Sequence, residues 1–169
     1  MAQKAITIYT PDTQEPHIYA EDDAQVFRAV FGGSGITDAD NRLSASIVSN
    51  NAIRLASGVY SNQGYLLCIP AGETLDLIIG SGTAGVYRRD LIVADFQRGG
   101  GTQADVHEFK VIAGAQASSL AEAVAPSLIQ DNIASGGSRR QEALYEVVIS
   151  GTTITEVNRI AAFVGSFYA

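Results

Sequence analysis

Short apolar segments that alternate with polar residues, each bounded by Gly, Asn, Asp or Pro, recur along the whole chain. A period of two residues places every second side chain on one face, which is the pattern of a half-buried β-strand. Eight segments follow this pattern: Ala5–Tyr9, Leu43–Val48, Tyr65–Ile69, Thr74–Ile79, Leu91–Phe96, Val106–Ala113, Leu144–Ser150 and Thr152–Val157. Their spacing predicts a mainly β fold, either an antiparallel β-sandwich or a barrel-like arrangement of the same strands.

One segment near the N-terminus has helical periodicity instead. Its apolar residues recur at helical spacing: Val26, Phe27, Val30 and Phe31. We therefore expect one short amphipathic helix that lies across a face of the sheet. Asp22 or Asp23 is a candidate N-cap, and Gly32 is placed to end the helix.

Gly and Pro residues predict the local structure of two further segments. Ser150 and Gly151 separate the last two predicted strands, and because Gly accepts positive φ without steric cost we predict a tight hairpin there. Leu120–Ala125 contains helix-forming residues but is stopped by Pro126, which predicts either one helical turn or a plain loop.

Gly80, Gly82 and Gly85 have the spacing of a dinucleotide-binding fingerprint, and an acid follows at Asp95. That fingerprint needs a helix after the loop and a second, parallel strand, but residues 83–90 leave room for two helical turns at most. The glycines therefore predict a turn or short loop between two strands that pair antiparallel, with Gly82 and Gly85 in turn conformations. We predict no bound cofactor.

Composition argues against several classes of partner. Lys and Arg number 11 against 18 Asp and Glu in 169 residues, which gives a net charge of −7. A nucleic-acid-binding protein needs an excess of basic residues to neutralise phosphates, and this chain does not have one. We identify no signal peptide and no apolar run of membrane-spanning length. His17 and His107 are isolated, and neither metal-ligand spacings nor a nucleophile elbow occurs. We predict no metal site, no catalytic residue and no membrane or nucleic-acid partner.

Arg88, Arg89 and Asp90 form the one compact charged motif. An arginine pair can bind a carboxylate or phosphate, whereas Arg and Asp at the entrance of a strand can fix its register by pairing with neighbouring strands or with another subunit. We favour the second interpretation. Arg139 and Arg140 lie in a loop rich in Gly and Ser, where we expect them to be solvated or used in an interface.

Five segments in order resemble a family of phage and prophage virion proteins. They are residues 22–36, 46–77, 87–96, 107–115 and 144–155. Members of the family have a short helix that ends in a Gly turn, then a strand of the type Asn, apolar, Arg, small, Gly, then a segment close to Arg-x-Asp-Leu-Ile-Val before a further strand. The resemblance covers roughly residues 20–155, and it resides in the order and spacing of these elements.

The resemblance implies a non-enzymatic structural component of a tailed-phage particle, of the kind found in baseplates, tails or fibre attachment regions. The chain ends soon after this module, which favours an adaptor or anchor over a receptor-binding head. The family contributes no catalytic residues. It implies assembly into a trimer or ring with further virion proteins as partners, and a location in the virion after synthesis in the host cytoplasm.

Two alternatives stay open. Within the same class, the chain would be a capsid-attached decoration protein or the base of a head fibre. From a different class, a carbohydrate-binding β-sandwich is conceivable, but the sequence contains no Trp for sugar stacking, so a host glycan is not an expected partner.

We expect residues 1–169 to form a single domain, with residues 1–20 as an N-terminal arm or edge strand. Residues 158–169 would be an apolar tail or a last strand, and an exposed apolar tail would favour association. The interface candidates come from the charged motifs and the C-terminal aromatic residues: Arg88, Arg89, Asp90, Arg139, Arg140, Phe163, Phe167 and Tyr168.

Overall fold

The computed structural model describes residues 3–5 and 19–165. Most of these residues lie in strands, which confirms the mainly β prediction. The strands are β1 (Lys4–Ala5), β2 (Gly35–Thr37), β3 (Ala45–Ser49), β4 (Ala52–Asn62), β5 (Tyr65–Ile78), β6 (Tyr87–Gln97), β7 (Val106–Ile112), β8 (Arg139–Ser150), β9 (Thr153–Arg159) and β10 (Phe163–Val164). One α-helix, α1 (Ala20–Phe31), and a short 3-10 helix at Ile133–Ser135 accompany them.

The first sheet has the strand order β1-β5-β4-β2-β10, and β3 also pairs with β4. Its neighbours are antiparallel except for β10, which runs parallel to β2. β4 is long enough to have two different neighbours along one edge, because its first half pairs with β3 and its second half with β2.

The segments predicted at 65–69 and 74–79 belong to one strand, β5. The residues between them, 70–73, bulge out of the pairing with β4 beside Gly58. Such a bulge accommodates Pro70, because the N–H that Pro lacks is not needed by the ladder there. The turn residues therefore interrupt the pairing without ending the strand, and the prediction of two separate strands was wrong.

β4 was not among the eight predicted strands, although it contains the Asn, apolar, Arg, small, Gly pattern of the resemblance. Small residues at 56–58 obscure its period of two. A two-residue turn joins β4 to β5, where Gln63 and Gly64 have φ values of 49° and 90°. Positive φ at both central residues is what a tight hairpin with the native strand twist requires.

The second sheet has the order β7-β6-β8-β9 and is antiparallel throughout. The predicted hairpin between the last two segments is confirmed: β8 and β9 pair from Ser150 and Thr153 outward, and Gly151 has a φ of 62°. The inner faces of the two sheets share one apolar core that includes Ile36, Leu67, Ile92, Val147 and Ile149. This arrangement confirms the antiparallel β-sandwich.

The glycine-rich segment 79–86 connects the two sheets. The prediction that its flanking strands pair with each other was wrong, because β5 belongs to the first sheet and β6 to the second. Gly85 has the predicted turn conformation, with a φ of 76°. Gly82 is needed for a different reason: a Cβ there would lie 1.9 Å from the carbonyl oxygen of Gly151, so only Gly fits against the β8–β9 turn.

Gly85→Ala is expected to lower the free energy of unfolding by about 1 kcal/mol, because the left-handed conformation is unfavourable for a residue with a Cβ. Nothing lies within 4 Å of the added methyl group, so the cost is conformational. Urea denaturation measures it. Gly100→Ala is the matched control, since its Cβ also meets open space but its φ is not in the left-handed range; equal effects of the two substitutions would contradict the explanation.

α1 begins one turn earlier than its apolar spacing suggested. Tyr19 is the N-cap and makes no side-chain capping bond, so the prediction that Asp22 or Asp23 caps the helix was wrong. Both carboxylates lie in the first turn, where they interact favourably with the helix dipole. Gly32 ends the helix as predicted: it has a φ of 78°, and its N–H donates to the carbonyl of Arg28.

Only part of the predicted apolar face of α1 packs inward. The helix buries Ala20 and Ala24, and the backbone of Ala24 is so close to Gly64 that a Cβ there would lie 2.0 Å from the Ala24 oxygen. Val26 and Val30 are 59% and 48% exposed. Close approach of the helix to the hairpin therefore uses small residues, while the two phenylalanines of the predicted face are partly buried and the two valines stay outside.

The segments at the two ends of the sequence are described in part. Of the predicted strand at 5–9, only Ala5 lies within the described residues, in β1. The predicted apolar tail at 158–169 contains the end of β9 and then β10, a last strand of the first sheet. Leu120–Ala125 is not helical; residues 120–122 form a turn before an extended segment.

Candidate functional site

Arg88 and Asp90 form a buried ion pair on the inner side of β6. Arg88 Nε and Nη2 donate to the two Asp90 oxygens at 2.7 and 3.0 Å, and the side chains are 9% and 0% exposed. Arg88 also donates to the carbonyls of Gly80 at 2.6 Å and Ser81 at 3.4 Å, while Gly114 N donates to Asp90 Oδ1 at 3.0 Å. The pair thus ties the glycine-rich connection and the end of β7 to β6. Its predicted role in an interface stays a prediction.

Arg89 points to the opposite face of the same strand. It donates to Glu146 Oε1 on β8 at 2.7 Å and to the carbonyl of Ala123 at 3.1 Å. A Cβ on Gly114 would lie 2.1 Å from the Arg89 carbonyl oxygen. Arg89 therefore holds the long β7–β8 connection against the outer face of the second sheet.

Asp95 is the acid that the fingerprint would assign to a ribose. In the structure it is 3% exposed, and Arg139 donates to both of its oxygens at 3.1 and 2.8 Å. Lys110 forms a further ion pair with it, and Gln141 donates to it at 3.1 Å. Burial alone would raise the pKa of Asp95, but these hydrogen bonds outweigh it and hold the pKa below its usual range. Asp95 and Arg139 are thus joined in a polar cluster that links three strands.

Arg140 contacts the other end of the β7–β8 connection. Its Nε donates to Glu142 at 2.6 Å, and its Nη1 donates to the carbonyls of Gln130 and Asp131, both at 3.1 Å. The predicted alternative of a solvated arginine is wrong for this residue, since its side chain is 18% exposed. Arg139 and Arg140 lie at the start of β8 and not in a loop.

Phe163 is the most exposed of the interface candidates that the structure describes. It is 46% exposed in β10, and the guanidinium groups of Arg42 and Arg159 lie 5.4 and 4.1 Å from its ring centroid. Two residues later, Gly165 is so close to the ring of Phe31 that a Cβ would lie 2.5 Å from it. Phe167 and Tyr168 lie outside the described residues.

We call the exposed apolar residues Val26 and Val30 of α1 together with Phe163 the edge surface, because α1 and the segment after β10 meet where the Phe31 ring lies against Gly165. β10 is one of the two edge strands of the first sheet, and among the described residues its outer side has no hydrogen-bonded strand. An unpaired sheet edge beside exposed apolar side chains is a surface that can accept another chain.

His107 is a buried ionisable group on the inner face of β7. It is 5% exposed, it meets the ring of Phe96 edge to face at 5.4 Å, and neither ring nitrogen has a hydrogen-bond partner. Burial lowers the pKa of His107 from its ordinary value of 6.5 to about 3, against a smaller opposing effect of Asp95. The imidazole is therefore neutral at pH 7.

The described part of the chain contains no group of three or more His, Cys, Asp and Glu side chains that could hold a metal ion. Within the same residues, no helix is long and apolar enough to cross a membrane. No family model matches the chain, and no curated protein is significantly similar to it.

Apart from Asp90, the acidic partners of the arginines were missed at the sequence level. Glu142 could have been found, because it lies two residues from Arg140 in the same strand and so shares its face. Glu146 and Asp95 could not, because their contacts with Arg89 and Arg139 depend on the pairing of β6 with β8. Strand partners this far apart in sequence leave no local signal.

Proposed function

We propose that this chain is a non-enzymatic structural component of a tailed-phage virion, an adaptor or anchor of a baseplate, tail or fibre, that works by assembly of subunits. The resemblance of the ordered segments to virion proteins supports this role. The observation that carries the proposal is the edge surface, where Phe163 is 46% exposed on the edge strand β10, whose outer side is unpaired among the described residues.

Association would bury this apolar area and pair the outer side of β10 with a strand of a neighbouring subunit. Burial stabilises by roughly 25 cal/mol per Å² of apolar area, and edge pairing adds directional backbone hydrogen bonds. Arg42 and Arg159 beside Phe163 would form the polar rim that commonly surrounds such a contact.

The state of the charged motifs also supports a structural role. The guanidinium groups of Arg88, Arg89, Arg139 and Arg140 already bond to carboxylates or carbonyls of the same chain. An arginine that binds a phosphate or carboxylate of a substrate needs guanidinium N–H groups that point toward the ligand. These four instead fasten loops and strands to each other.

Multi-angle light scattering on the purified chain is expected to show a trimer or a larger ring. The double variant Val30→Asp/Phe163→Asp is expected to shift the population to monomer, because two carboxylates would have to be desolvated at the contact. Circular dichroism of the variant checks that the fold is retained, as both side chains are about half exposed.

The double variant Val124→Asp/Ile129→Asp is the matched control. The two residues are 71% and 42% exposed on the β7–β8 connection, so the substitutions add the same two charges outside the edge surface and are expected to leave the assembly intact. A wild-type chain that stays monomeric at high concentration, alone and with other virion proteins, would contradict the proposed function. Equal dissociation by both variants would contradict the location of the contact.

A further inference from the structure

A cavity of about 390 Å³ lies where the edge of the first sheet meets β8 of the second. Tyr60 of β4 and Glu142 of β8 reach it from the two sheets, and Leu128 and Ile160 with three alanines form its apolar wall. Its volume is at the lower end of the range of small-molecule sites, which is about 300–1,000 Å³. The cavity shares no lining residue with the edge surface or with the buried ion pair of β6.

Tyr60 has a polar group that the fold leaves unused. The residue is 2% exposed, and its hydroxyl makes no hydrogen bond with any described residue. Burial raises the pKa of Tyr60, and the nearby Glu142 carboxylate adds to the increase, so the hydroxyl keeps its proton and remains a donor. Among the described residues, the side-chain polar atoms that are buried without a partner belong to Asn62 and His107, so the Tyr60 hydroxyl is open to the cavity. Water or a bound molecule there can accept a hydrogen bond from it.

Glu142 provides the complementary acceptor. Its Oε1 accepts from Arg140 at 2.6 Å, while no described group donates to its Oε2. Two further polar residues at the cavity are partly engaged, since Ser34 accepts from the backbone of Gln63 and Gln130 donates to the carbonyl of Gln141. The Tyr60 hydroxyl and Glu142 Oε2 are therefore a donor and an acceptor that a ligand can reach beside the apolar side chains of Leu128 and Ile160.

The charges at the cavity select the chemical class of ligand. Arg140 neutralises Glu142, so neither a cation nor an anion gains an uncompensated counter-charge there. A ligand must offer an acceptor to Tyr60, a donor to Glu142 and carbon-bound hydrogens to Leu128 and Ile160. An uncharged sugar ring has adjacent hydroxyls on an apolar skeleton and meets all three requirements. The Tyr60 ring is buried, so recognition would rest on hydrogen bonds and not on stacking.

We propose that this cavity binds a single uncharged sugar unit through the Tyr60 hydroxyl and the Glu142 carboxylate. The inference does not depend on the assembly role above. Titration of the labelled protein with glucose, galactose and N-acetylglucosamine, followed by amide NMR shifts, tests it. At least one of the sugars is expected to give saturable shifts confined to amides around the cavity, and Tyr60→Phe is expected to weaken that binding about tenfold.

Tyr145→Phe is the matched control, because it also removes one buried tyrosine hydroxyl, which donates to the Leu43 carbonyl at 3.0 Å outside the cavity. It is expected to lower stability and leave sugar affinity unchanged, whereas Tyr60→Phe changes affinity without loss of stability. Absence of saturable shifts with all three sugars, or unchanged affinity in Tyr60→Phe, would overturn the proposal. Binding of N-acetylneuraminic acid alone would overturn the assignment to uncharged sugars.

Discussion

Asp90→Ala is expected to lower the free energy of unfolding by about 3–5 kcal/mol, because it leaves the buried guanidinium of Arg88 without its counter-charge. The Arg88 side chain is 9% exposed, so water cannot replace the lost carboxylate. Gly114 N loses its acceptor in the same substitution. Urea denaturation followed by circular dichroism measures the change.

Two further variants separate the buried charge from simple loss of contacts. The double variant Arg88→Met/Asp90→Leu removes both charges, and it is expected to be less destabilised than Asp90→Ala. Asp76→Ala removes the carboxylate of another ion pair, in which Arg54 donates to both Asp76 oxygens at 2.7 and 2.8 Å. The side chains of Arg54 and Asp76 are 45% and 43% exposed. The substitution is expected to have little effect. Equal losses in Asp76→Ala and Asp90→Ala would refute the role of burial.

Local rules succeeded wherever the structure depends on neighbouring residues. The strand periods, the hairpin at Gly151 and the helix end at Gly32 each need information from only a few positions. The same rules failed where packing between distant segments determines which residues are buried. Only half of the predicted apolar face of α1 turns inward, and Val26 and Val30 stay exposed. The close approach of Ala24 to the hairpin turn at Gly64 sets the orientation of the helix, because only small residues allow that approach.

The glycine-rich segment also combines a feature that local sequence predicts with one that depends on distant residues. Its spacing resembles a cofactor loop, and local reasoning correctly rejected the helix that such a loop needs. Local spacing does not show that β5 and β6 lie in different sheets, because the pairing of β6 with β8 joins residues that are 42 to 63 positions apart. The donor and acceptor at Tyr60 and Glu142 depend on the same long-range packing, so no spacing in the sequence indicates the cavity.

His107 should make the stability of the fold unusually sensitive to mild acid. Its pKa is about 3 in the folded chain and 6.5 ordinarily, so the unfolded chain binds one more proton at intermediate pH. Its contribution to stability is fully present above pH 6.5 and is lost as the pH falls toward 3, by about 1.4 kcal/mol per pH unit. The loss reaches about 3 kcal/mol near pH 4.

Comparison of the wild type with His107→Phe isolates this contribution, because a phenyl ring can keep the apolar contact with Phe96 and does not titrate. The free energies of unfolding of both proteins are measured by urea denaturation from pH 7.5 to pH 4. Acidic groups such as Asp95, whose pKa is also low in the fold, weaken both proteins alike in acid, and His17 is common to both. The difference between the two curves is therefore expected to be constant above pH 6.5 and to shift in favour of the variant below it. If the two free-energy curves stay parallel over the whole pH range, the pKa of His107 is the same in the folded and the unfolded chain. That result would contradict the prediction.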